Sequence, residues 1–441
     1  MVEAMNNSEY KSYRIPYDDT EIELKIPAAN IRYYMALESK MAKDENIDKL
    51  HEALARFSAE GLVNLVRDKK VALIIEDATR TVPLDDLLTV LGPCLPGAEK
   101  ITVLLATGTH DGENDGNYEI VERVRQYAAH YFLPVEKVII HDCHHGPFYL
   151  AGTTPTAGNE IYVNSAIHES QVFIALSDMK NHYFAGYSNA IKNFIPGLCA
   201  YQTVERNHAL SLRPESTFGR HPLHPDANRR DNPLARDMWE AYKLVVNNRP
   251  VFVFATVSMQ QSLLWAGAGM LEPIVTEGIG QVDQLMSIRI PIADKLIVSC
   301  GGYPNDESLY SAQRALELSK QGISQNGEIL FLAGCRNGIG PEKSIQNFYN
   351  PLKLPIPVVL KQYDQKYVMY AHKTYKFAQL ISQMHAIHMF SKLTDLEIKD
   401  IHLLPCRDAQ ALVESWIKQD PASRISIITE GNKYAVYSTN D

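Results

Sequence analysis

Polar side chains that can bind ligands or transfer protons follow several predicted strands. Asp77 and Arg80 follow one strand, His110 ends the loop after the next, and His182 comes shortly after a third. Ligands of α/β proteins bind at the carboxyl ends of the strands. An Asp–Arg pair there can hold a sugar hydroxyl and an anionic substrate, and an imidazole can take or give a proton. The alternatives are a salt-bridged strand end and structural histidines.

The segment from 180 to 200, KNHYFAGYSNAIKNFIPGLCA, contains the lysine best suited to covalent chemistry. Ser188-Asn189 predicts the start of a short helix, Lys192 lies in its first turn, and Pro196-Gly197 predicts its end. Neighbouring cations and the positive end of the helix dipole disfavour a charged lysine, so we expect Lys192 to be usable for a Schiff-base or thioamide link. A surface lysine that binds anions is the alternative.

A third isolated histidine, His208, follows on the helical stretch Glu205–His208. With His110 and His182 it makes a set that could serve a metal or a proton-transfer site. A structural role for each is the alternative.

A helix in the second half of the chain places Tyr310 and Arg314 at i and i+4, on one face. A tyrosine hydroxyl and a guanidinium on one face can clamp a carboxylate. A solvated helix with a stacked arginine explains the same pattern.

The elements that must position these residues alternate between strands and helices. Helical patterns occur at 119–130 and 309–319, between β-branched apolar runs. This alternation predicts an α/β fold of two domains, 1–280 and 281–441, with mainly parallel sheets covered by helices and an active site at the cleft between them. The first domain should hold the cofactor and catalytic motifs and the second should contribute substrate-binding residues. The apolar runs are 71–75, 101–106, 138–140, 172–176, 251–254, 296–299 and 329–332.

Composition excludes several classes of protein. The 441 residues have a formal net charge of −9 and a sequence pI near 5.9, which disfavours nucleic acid and anionic lipid as partners. No apolar run is long enough to span a bilayer. The six cysteines contain no CxxC pair, so we expect a cytoplasmic protein without a structural zinc ribbon. No GxGxxG or GxxxxGK[ST] motif follows a strand, which disfavours a standard dinucleotide or P-loop site.

Five phrases, in order along residues 76–315, resemble the nickel-pincer lactate racemase family: DATR, TGTH, NHYFAGYSNAIKNFIPG, ERNH and GGYPND-ESLYSAQRAL. The resemblance implies an isomerase, a racemase or epimerase that acts at C2 of a 2-hydroxy acid by reversible hydride transfer. It also implies a metal-binding cofactor, the nickel-pincer nucleotide (pyridinium-3-thioamide-5-thiocarboxylic acid mononucleotide with nickel), made by separate cofactor-synthesis enzymes.

The resemblance also implies a role for each motif residue. Lys192 would form the thioamide link to the cofactor, His208 would bind nickel, and His110 and His182 would be the paired acid/base groups. The remaining residues would bind substrate or lie beside the cofactor: Arg80, Tyr310 and Arg314 orient the substrate, with Arg80 also counted as catalytic, and Asp77 and Thr79 lie on the cofactor side, Asp77 nearer its ribose.

Two departures from the family pattern concern the substrate. Arg314 stands where lysine is expected, and Ser311 stands where glutamine is expected. The charge for a carboxylate is kept while the pocket lining changes. An aldonic acid such as gluconate is therefore as well supported as a short 2-hydroxy acid.

Two other functions stay open from the sequence. A zinc-dependent hydrolase could use a cluster of His110, His182 and His208, although no HExxH-type helix is present. A non-catalytic homologue that binds the nucleotide would be expected to lack one acid/base histidine, and both are present.

Overall fold

The computed structural model describes residues 9–36, 45–80, 82–259, 262–363 and 367–439. They form two compact units. The middle unit contains the described residues from 45 to 285, and the terminal unit contains those before 39 and from 286 onward. The sequence placed the boundary at 280, five residues before this division, and assigned the first residues to the N-terminal domain. The structure instead places residues 9–36 in the unit formed by the end of the chain.

The strands, numbered in chain order, are as follows: β1 (Tyr10–Tyr17), β2 (Thr20–Pro27), β3 (Ile31–Tyr34), β4 (Lys70–Glu76), β5 (Lys100–Ala106), β6 (Val135–Ile140), β7 (Phe148–Thr153), β8 (Glu160–Asn164), β9 (Val172–Asp178), β10 (Lys180–His182), β11 (Gly186–Ser188), β12 (Val251–Met259), β13 (Ser262–Met270), β14 (Ser287–Pro291), β15 (Ala293–Ser299), β16 (Ile323–Leu332), β17 (Ala386–Phe390), β18 (Leu404–Pro405), β19 (Ile425–Ile428) and β20 (Ala435–Thr439).

The α-helices are as follows: α1 (Asn46–Phe57), α2 (Ala59–Val66), α3 (Leu84–Leu91), α4 (Asp115–His130), α5 (Ile191–Phe194), α6 (Tyr201–Ala209), α7 (Pro233–Val246), α8 (Leu271–Leu285), α9 (Leu309–Ser319), α10 (Glu342–Ser344), α11 (Asn350–Leu352), α12 (Ile356–Gln362), α13 (Ala371–Gln383), α14 (Asp395–Asp400) and α15 (Ala409–Gln419).

The middle unit is built on a six-stranded sheet in the order β13-β12-β9-β4-β5-β6, parallel except for β13. Its central strands are buried on both faces, which explains their continuous apolar runs. Val71, Leu73 and Ile75 of β4 pack into one core cluster, while Ile74 is buried on the opposite face. Each such side chain contributes about 1.5–3 kcal/mol by leaving water. The polar residues after β4, β5 and β9 follow the carboxyl ends of neighbouring strands.

The terminal unit contains a second six-stranded sheet, in the order β18-β17-β16-β15-β19-β3, and all its strands are parallel. Strand β3 pairs with β19, and Ile15, Leu24 and Ile26 of the β1–β2 hairpin pack in one cluster with residues such as Trp416. These contacts are the physical reason that residues 9–36 belong here: the N-terminal strands bury their apolar side chains against elements near the end of the chain.

The α/β class with mainly parallel sheets is confirmed. All seven predicted apolar runs lie in strands, and the helical patterns at 119–130 and 309–319 lie in α4 and α9. Among the described residues, none of the helices combines the length and apolar character that crossing a membrane requires.

Candidate active site

The carboxyl ends of β4 and β5 bring Asp77 and His110 into contact. The Nδ1 atom of His110 lies 2.5 Å from Oδ2 of Asp77, whose side chain is 2% exposed, whereas the His110 side chain is 41% exposed. Because the carboxylate can only accept, Nδ1–H is the donor and Nε2 is left as a proton acceptor. The pair therefore presents a base to solvent from a buried anchor.

Asp77 is held in its ionised form by its neighbours. Burial alone would raise the pKa of Asp77, but the hydrogen bond and charge of His110, the charge of Arg80 and the hydrogen bond from Thr79 together lower it. Thr79 Oγ1 donates to Oδ1 at 2.7 Å, and Arg80 Nε lies 3.9 Å from the same oxygen. These four sequence-predicted residues thus form one cluster.

The loop that ends at His110 is shaped by its backbone. Gly108 has a φ of 58°, in the left-handed region that favours glycine, and its N–H donates to the carbonyl of Gly197 at 3.0 Å. Thr107 Oγ1 donates to the carbonyl of His141 at 2.5 Å. The loop is therefore anchored on the turn that follows α5 and on the end of β6.

His182 lies on the antiparallel β10–β11 hairpin, opposite Gly186. The N–H of Ala185 donates to His182 Nδ1 at 3.2 Å, so the neutral ring carries its proton on Nε2. Its ring also stacks on Tyr183 and meets Phe184 edge-on at 4.4 Å. His182 and His110 are thus held in opposite tautomers.

A backbone carbonyl orients the ring of His208, which lies on α6. Its Nδ1 lies 3.0 Å from the carbonyl oxygen of Val204, so Nδ1–H donates and Nε2 keeps its lone pair. Burial, followed by the charges of Lys192 and His110, lowers the pKa of His208 to about 3. The imidazole is therefore neutral near pH 7, as metal binding requires.

Lys192 lies on α5, a single turn that begins at Ile191, two residues after Asn189. The Asn189 Oδ1 atom accepts from Ile191 N–H at 2.9 Å, and the Asn189 carbonyl accepts from Lys192 N–H at 2.9 Å. A single turn supplies only a small dipole, so the dipole argument for a reactive lysine loses its basis. The proximity of Lys192 to another functional group is what remains, because its charge acts on His208.

The catalytic side chains predicted from the first half of the chain come together within the middle unit. Phe184 meets both His182, at 4.4 Å, and His208, at 5.4 Å, and the charges of Lys192 and His110 both act on His208. Side chains from separate segments of the sequence therefore lie near one another.

Tyr310 and Arg314 lie on α9 of the terminal unit, as the spacing predicted, and both are partly buried. Lys373, on α13, was not predicted from the sequence: its Nζ donates to the Tyr310 carbonyl at 2.5 Å and lies 3.8 Å from the centroid of the Tyr310 ring. Burial, together with the charge of Arg314, lowers the pKa of Lys373 to about 7. Nothing in the helical pattern of α13 distinguishes this lysine from a surface one.

The buried carboxyl group of Glu76 was also not predicted from the sequence as a candidate functional group. It is the last residue of β4 and is buried, and Ser177 Oγ donates to it at 2.9 Å. Burial raises the pKa of Glu76 to about 7, although the charges of Arg80 and Lys180 oppose this. The sequence did offer one signal for Glu76, because an acidic residue directly follows the apolar run of β4.

The histidines of this cluster do not form a compact set of metal ligands. The described residues contain no group of three or more His, Cys, Asp or Glu side chains placed to hold a metal ion, so a zinc site built on His110, His182 and His208 lacks its ligand set. The neutral imidazole of His208 instead lies near the charged group of Lys192.

Comparison with known proteins covers nearly the whole chain. The model of the lactate racemase N-terminal domain matches residues 17–219, and that of the lactate racemase C-terminal domain matches 289–436. Two relatives are each 24% identical to this chain: the lactate racemases of Thermoanaerobacterium thermosaccharolyticum and Lactiplantibacillus plantarum. Each alignment covers 95% of this chain and 97% of the relative.

Two solved structures share the fold. The lactate racemase apoprotein from T. thermosaccharolyticum aligns with a TM-score of 0.81 and 23% identity over 98% of this chain and 100% of its own. A Thermotoga maritima protein aligns with a TM-score of 0.58 and 16% identity over 92% of this chain and 100% of its own. The two domain models together show that the chain belongs to the lactate racemase family, and it is accordingly an enzyme of the isomerase class.

Proposed function

We propose that this enzyme is a nickel-pincer-dependent racemase or epimerase that acts at C2 of a 2-hydroxy acid. The observation that carries the proposal is the convergence of a carboxylate-anchored histidine, His110, with the neutral imidazole of His208 and the amine of Lys192. A proton acceptor, a metal ligand and an attachment point are the three groups that such a reaction asks of the protein.

The cofactor would be held by Lys192 through a thioamide and by His208 through nickel. When bound, it supplies a carbon that reversibly accepts the C2 hydride of the substrate. The ring of His208 is oriented for metal binding, because its Nδ1–H donates to the Val204 carbonyl and its Nε2 is left for the metal. We propose that Thr79 and Asp77 line the cofactor side, with the Asp77 carboxylate mainly orienting His110.

The two histidines would act on the substrate hydroxyl. His110 accepts the hydroxyl proton at Nε2, and the ionised Asp77 stabilises the imidazolium that forms. His182 starts as an Nε2–H donor, because its Nδ1 accepts from Ala185 N–H. To accept the proton of the opposite stereoisomer, His182 must first move its own proton and break the contact with Ala185. The two directions of reaction are therefore not chemically equivalent.

The carboxylate of the substrate would be bound by cations and a phenol. We assign this role to Arg80, Tyr310 and Arg314. Arg80 also sits beside Asp77, so substrate binding and base orientation are adjacent. The relatives are named for lactate. Arg314 and Ser311 in this chain keep an aldonic acid such as gluconate as a second substrate to be tested beside short 2-hydroxy acids.

We also propose that the enzyme works in the cytoplasm and receives its cofactor from cofactor-synthesis enzymes, with no nucleic-acid or membrane partner. The acidic charge balance and the lack of a CxxC pair support this assignment.

The test is to produce the protein alongside the cofactor-synthesis enzymes and measure its intact mass and nickel content. One covalent adduct and one nickel are expected. The loaded enzyme is then incubated in deuterated water with lactate, malate and gluconate separately. Hydride return predicts inversion at C2 with little deuterium there, whereas extensive C2 deuteration would show carbanion chemistry and refute the mechanism.

A further inference from the structure

The segment from Ser216 to Asn232, here called the clamp segment, lies directly on the hairpin that carries His182. Gly186, at the hairpin turn, has a φ of 78°, and a Cβ there would stand 1.9 Å from the Arg220 carbonyl oxygen. Asn232 Nδ2 donates to the Phe184 carbonyl at 2.8 Å and to the Thr217 carbonyl at 3.2 Å. The clamp segment therefore fixes the backbone of the hairpin on the side next to His182.

One carboxylate, that of Asp283 on α8, ties the clamp segment to the hairpin. Tyr187 of β11 donates its hydroxyl to Oδ1 at 2.5 Å, and His224 Nε2 donates to Oδ2 at 3.1 Å. Arg229 donates to both oxygens and, through Nη2, to the Tyr187 hydroxyl at 2.8 Å. Side chains from the hairpin and from the clamp segment thus meet on a group supplied by a third element.

A second link runs from the clamp segment to the turn before Lys192. Asn189 Nδ2 lies 3.3 Å from His221 Nε2, while its Oδ1 accepts from Ile191 N–H. Burial, followed by the charge of His224, lowers the pKa of His221 to about 3, so this ring is neutral, and its Nδ1 accepts from the Leu223 N–H at 3.1 Å. The same segment therefore holds both the hairpin of His182 and the start of α5.

The ionised form of Asp283 is the one that this arrangement favours. Burial would raise the pKa of Asp283, but hydrogen bonds from His224, Tyr187 and Arg229 and the charge of Arg229 lower it. A fixed carboxylate with several donors is rigid, because each donor restricts a different direction. Rigidity matters most next to groups that must meet a reacting atom within a fraction of an ångström.

We infer that Asp283 is a positioning residue, which holds the clamp segment and the β10–β11 hairpin together and so fixes His182 and the turn before Lys192. The inference goes beyond the proposed function and rests on the roles proposed there for His182 and Lys192. The other possibility is that the network only stabilises the fold, and the experiment separates the two.

The test compares Tyr187→Phe and Asp283→Asn in the full-length protein, with Tyr242→Phe as the matched control. Tyr242 is also a buried tyrosine, and its ring packs on Phe194 of α5, but the Asp283 network does not include it. Histidine ring signals are recorded by nitrogen-15 NMR, with His182 assigned through a His182→Gln variant. The buried His141, bonded to the Cys199 carbonyl, is the internal reference.

In Tyr187→Phe the His182 signals are expected to shift or broaden. The His141 signals and the melting temperature are expected to stay at wild-type values. In the cofactor-loaded enzyme, kcat is expected to fall at least ~10-fold with KM within ~2-fold, because a misplaced general base costs turnover more than binding. Tyr242→Phe should match the wild type in its His182 signals, its melting temperature and its kcat. His182 signals and kcat that stay at wild-type values in Tyr187→Phe and in folded Asp283→Asn would overturn the inference. An inactive wild-type enzyme would instead refute the proposed function, and the NMR comparison would still decide the role of Asp283.

Discussion

The Nδ1 atom of His110 lies 2.5 Å from Oδ2 of Asp77, and this contact determines which nitrogen of the histidine can accept a proton. The corresponding atom of His182 accepts from the Ala185 N–H instead. A carboxylate partner stabilises an imidazolium, whereas a backbone donor opposes one. The two histidines of the site are therefore prepared for different first steps.

Asp77→Asn is expected to lower turnover by about 10²–10⁴-fold, because the amide cannot hold His110 in its present tautomer or stabilise its charged form. Steady-state rates with both stereoisomers measure the effect. Asp142→Asn is the matched control, since Asp142 makes a similar contact with His145 at 2.7 Å on the exposed surface. Equal rates for wild type and Asp77→Asn would contradict the orienting role.

His110→Ala and His182→Ala are each expected to remove at least ~10²-fold of turnover, and the two should differ in the stereoisomer they affect. The measurement is single-turnover formation of the 2-keto acid from each pure stereoisomer. Each variant should lose this step for one stereoisomer and keep more of it for the other. The hypothesis of two opposed bases fails where both variants slow the same stereoisomer equally.

Lys192→Ala is expected to abolish the covalent adduct together with activity, because the thioamide is assigned to this amine alone. Intact mass of protein made alongside the cofactor-synthesis enzymes reports the result directly. Lys180→Ala provides the control: this lysine lies on the neighbouring strand β10, 3.6 Å from Asp178, and its removal should leave the adduct in place. An adduct of unchanged mass in Lys192→Ala would refute the assignment.

Arg314→Met is expected to weaken binding of every 2-hydroxy acid by about 2–5 kcal/mol, since a desolvated carboxylate would lose a charged partner. Changes at Ser311 should alter the choice among acids more than the common affinity. Competition binding with lactate, malate and gluconate distinguishes the two effects. Arg289→Met, which removes an arginine stacked on Tyr437, should change none of these affinities.

Acid should destabilise the middle unit through its buried neutral histidines. Burial lowers the pKa of His141 to about 4 and that of His221 to about 3, against about 6.5 in an unfolded chain. The unfolded state therefore binds more protons between these values, so stability rises with pH through this window and is lost as pH falls below about 6.5. At pH 5 each histidine should cost about 2 kcal/mol of unfolding free energy. Denaturant unfolding at pH 7 and pH 5 measures it, and His221→Gln should reduce the difference.

The motifs and strands were predictable because their signals are local. The runs around Val71 and Ile101 show burial on both faces, and each polar group follows its strand within a few residues. The contact between Asp77 and His110 was not predictable, because 33 residues and a loop conformation separate them. The tautomer of His182 depends on one backbone N–H, which composition does not reveal.

The Asp283 network is a further case, since its members come from three distant segments. No periodicity relates an acidic residue near the end of α8 to a tyrosine on β11. The grouping of residues 9–36 with the end of the chain was not predictable for the same reason: strand order in a parallel sheet is a long-range property, and the sequence of β3 alone is compatible with either unit.

The pairing of β3 with β19 sets an order of events during synthesis. Ile31 emerges from the ribosome about 390 residues before its partner Ile425, which at roughly 5–20 residues per second is a delay of tens of seconds. The middle unit is encoded without interruption and can finish folding in that interval. Until β19 is synthesised, the strands β1 to β3 have exposed hydrogen-bonding edges, and exposed edges promote aggregation. Charged side chains at the exposed positions of β1 and β2, among them Lys11, Glu23 and Lys25, give the waiting hairpin the protection that an unpaired edge requires.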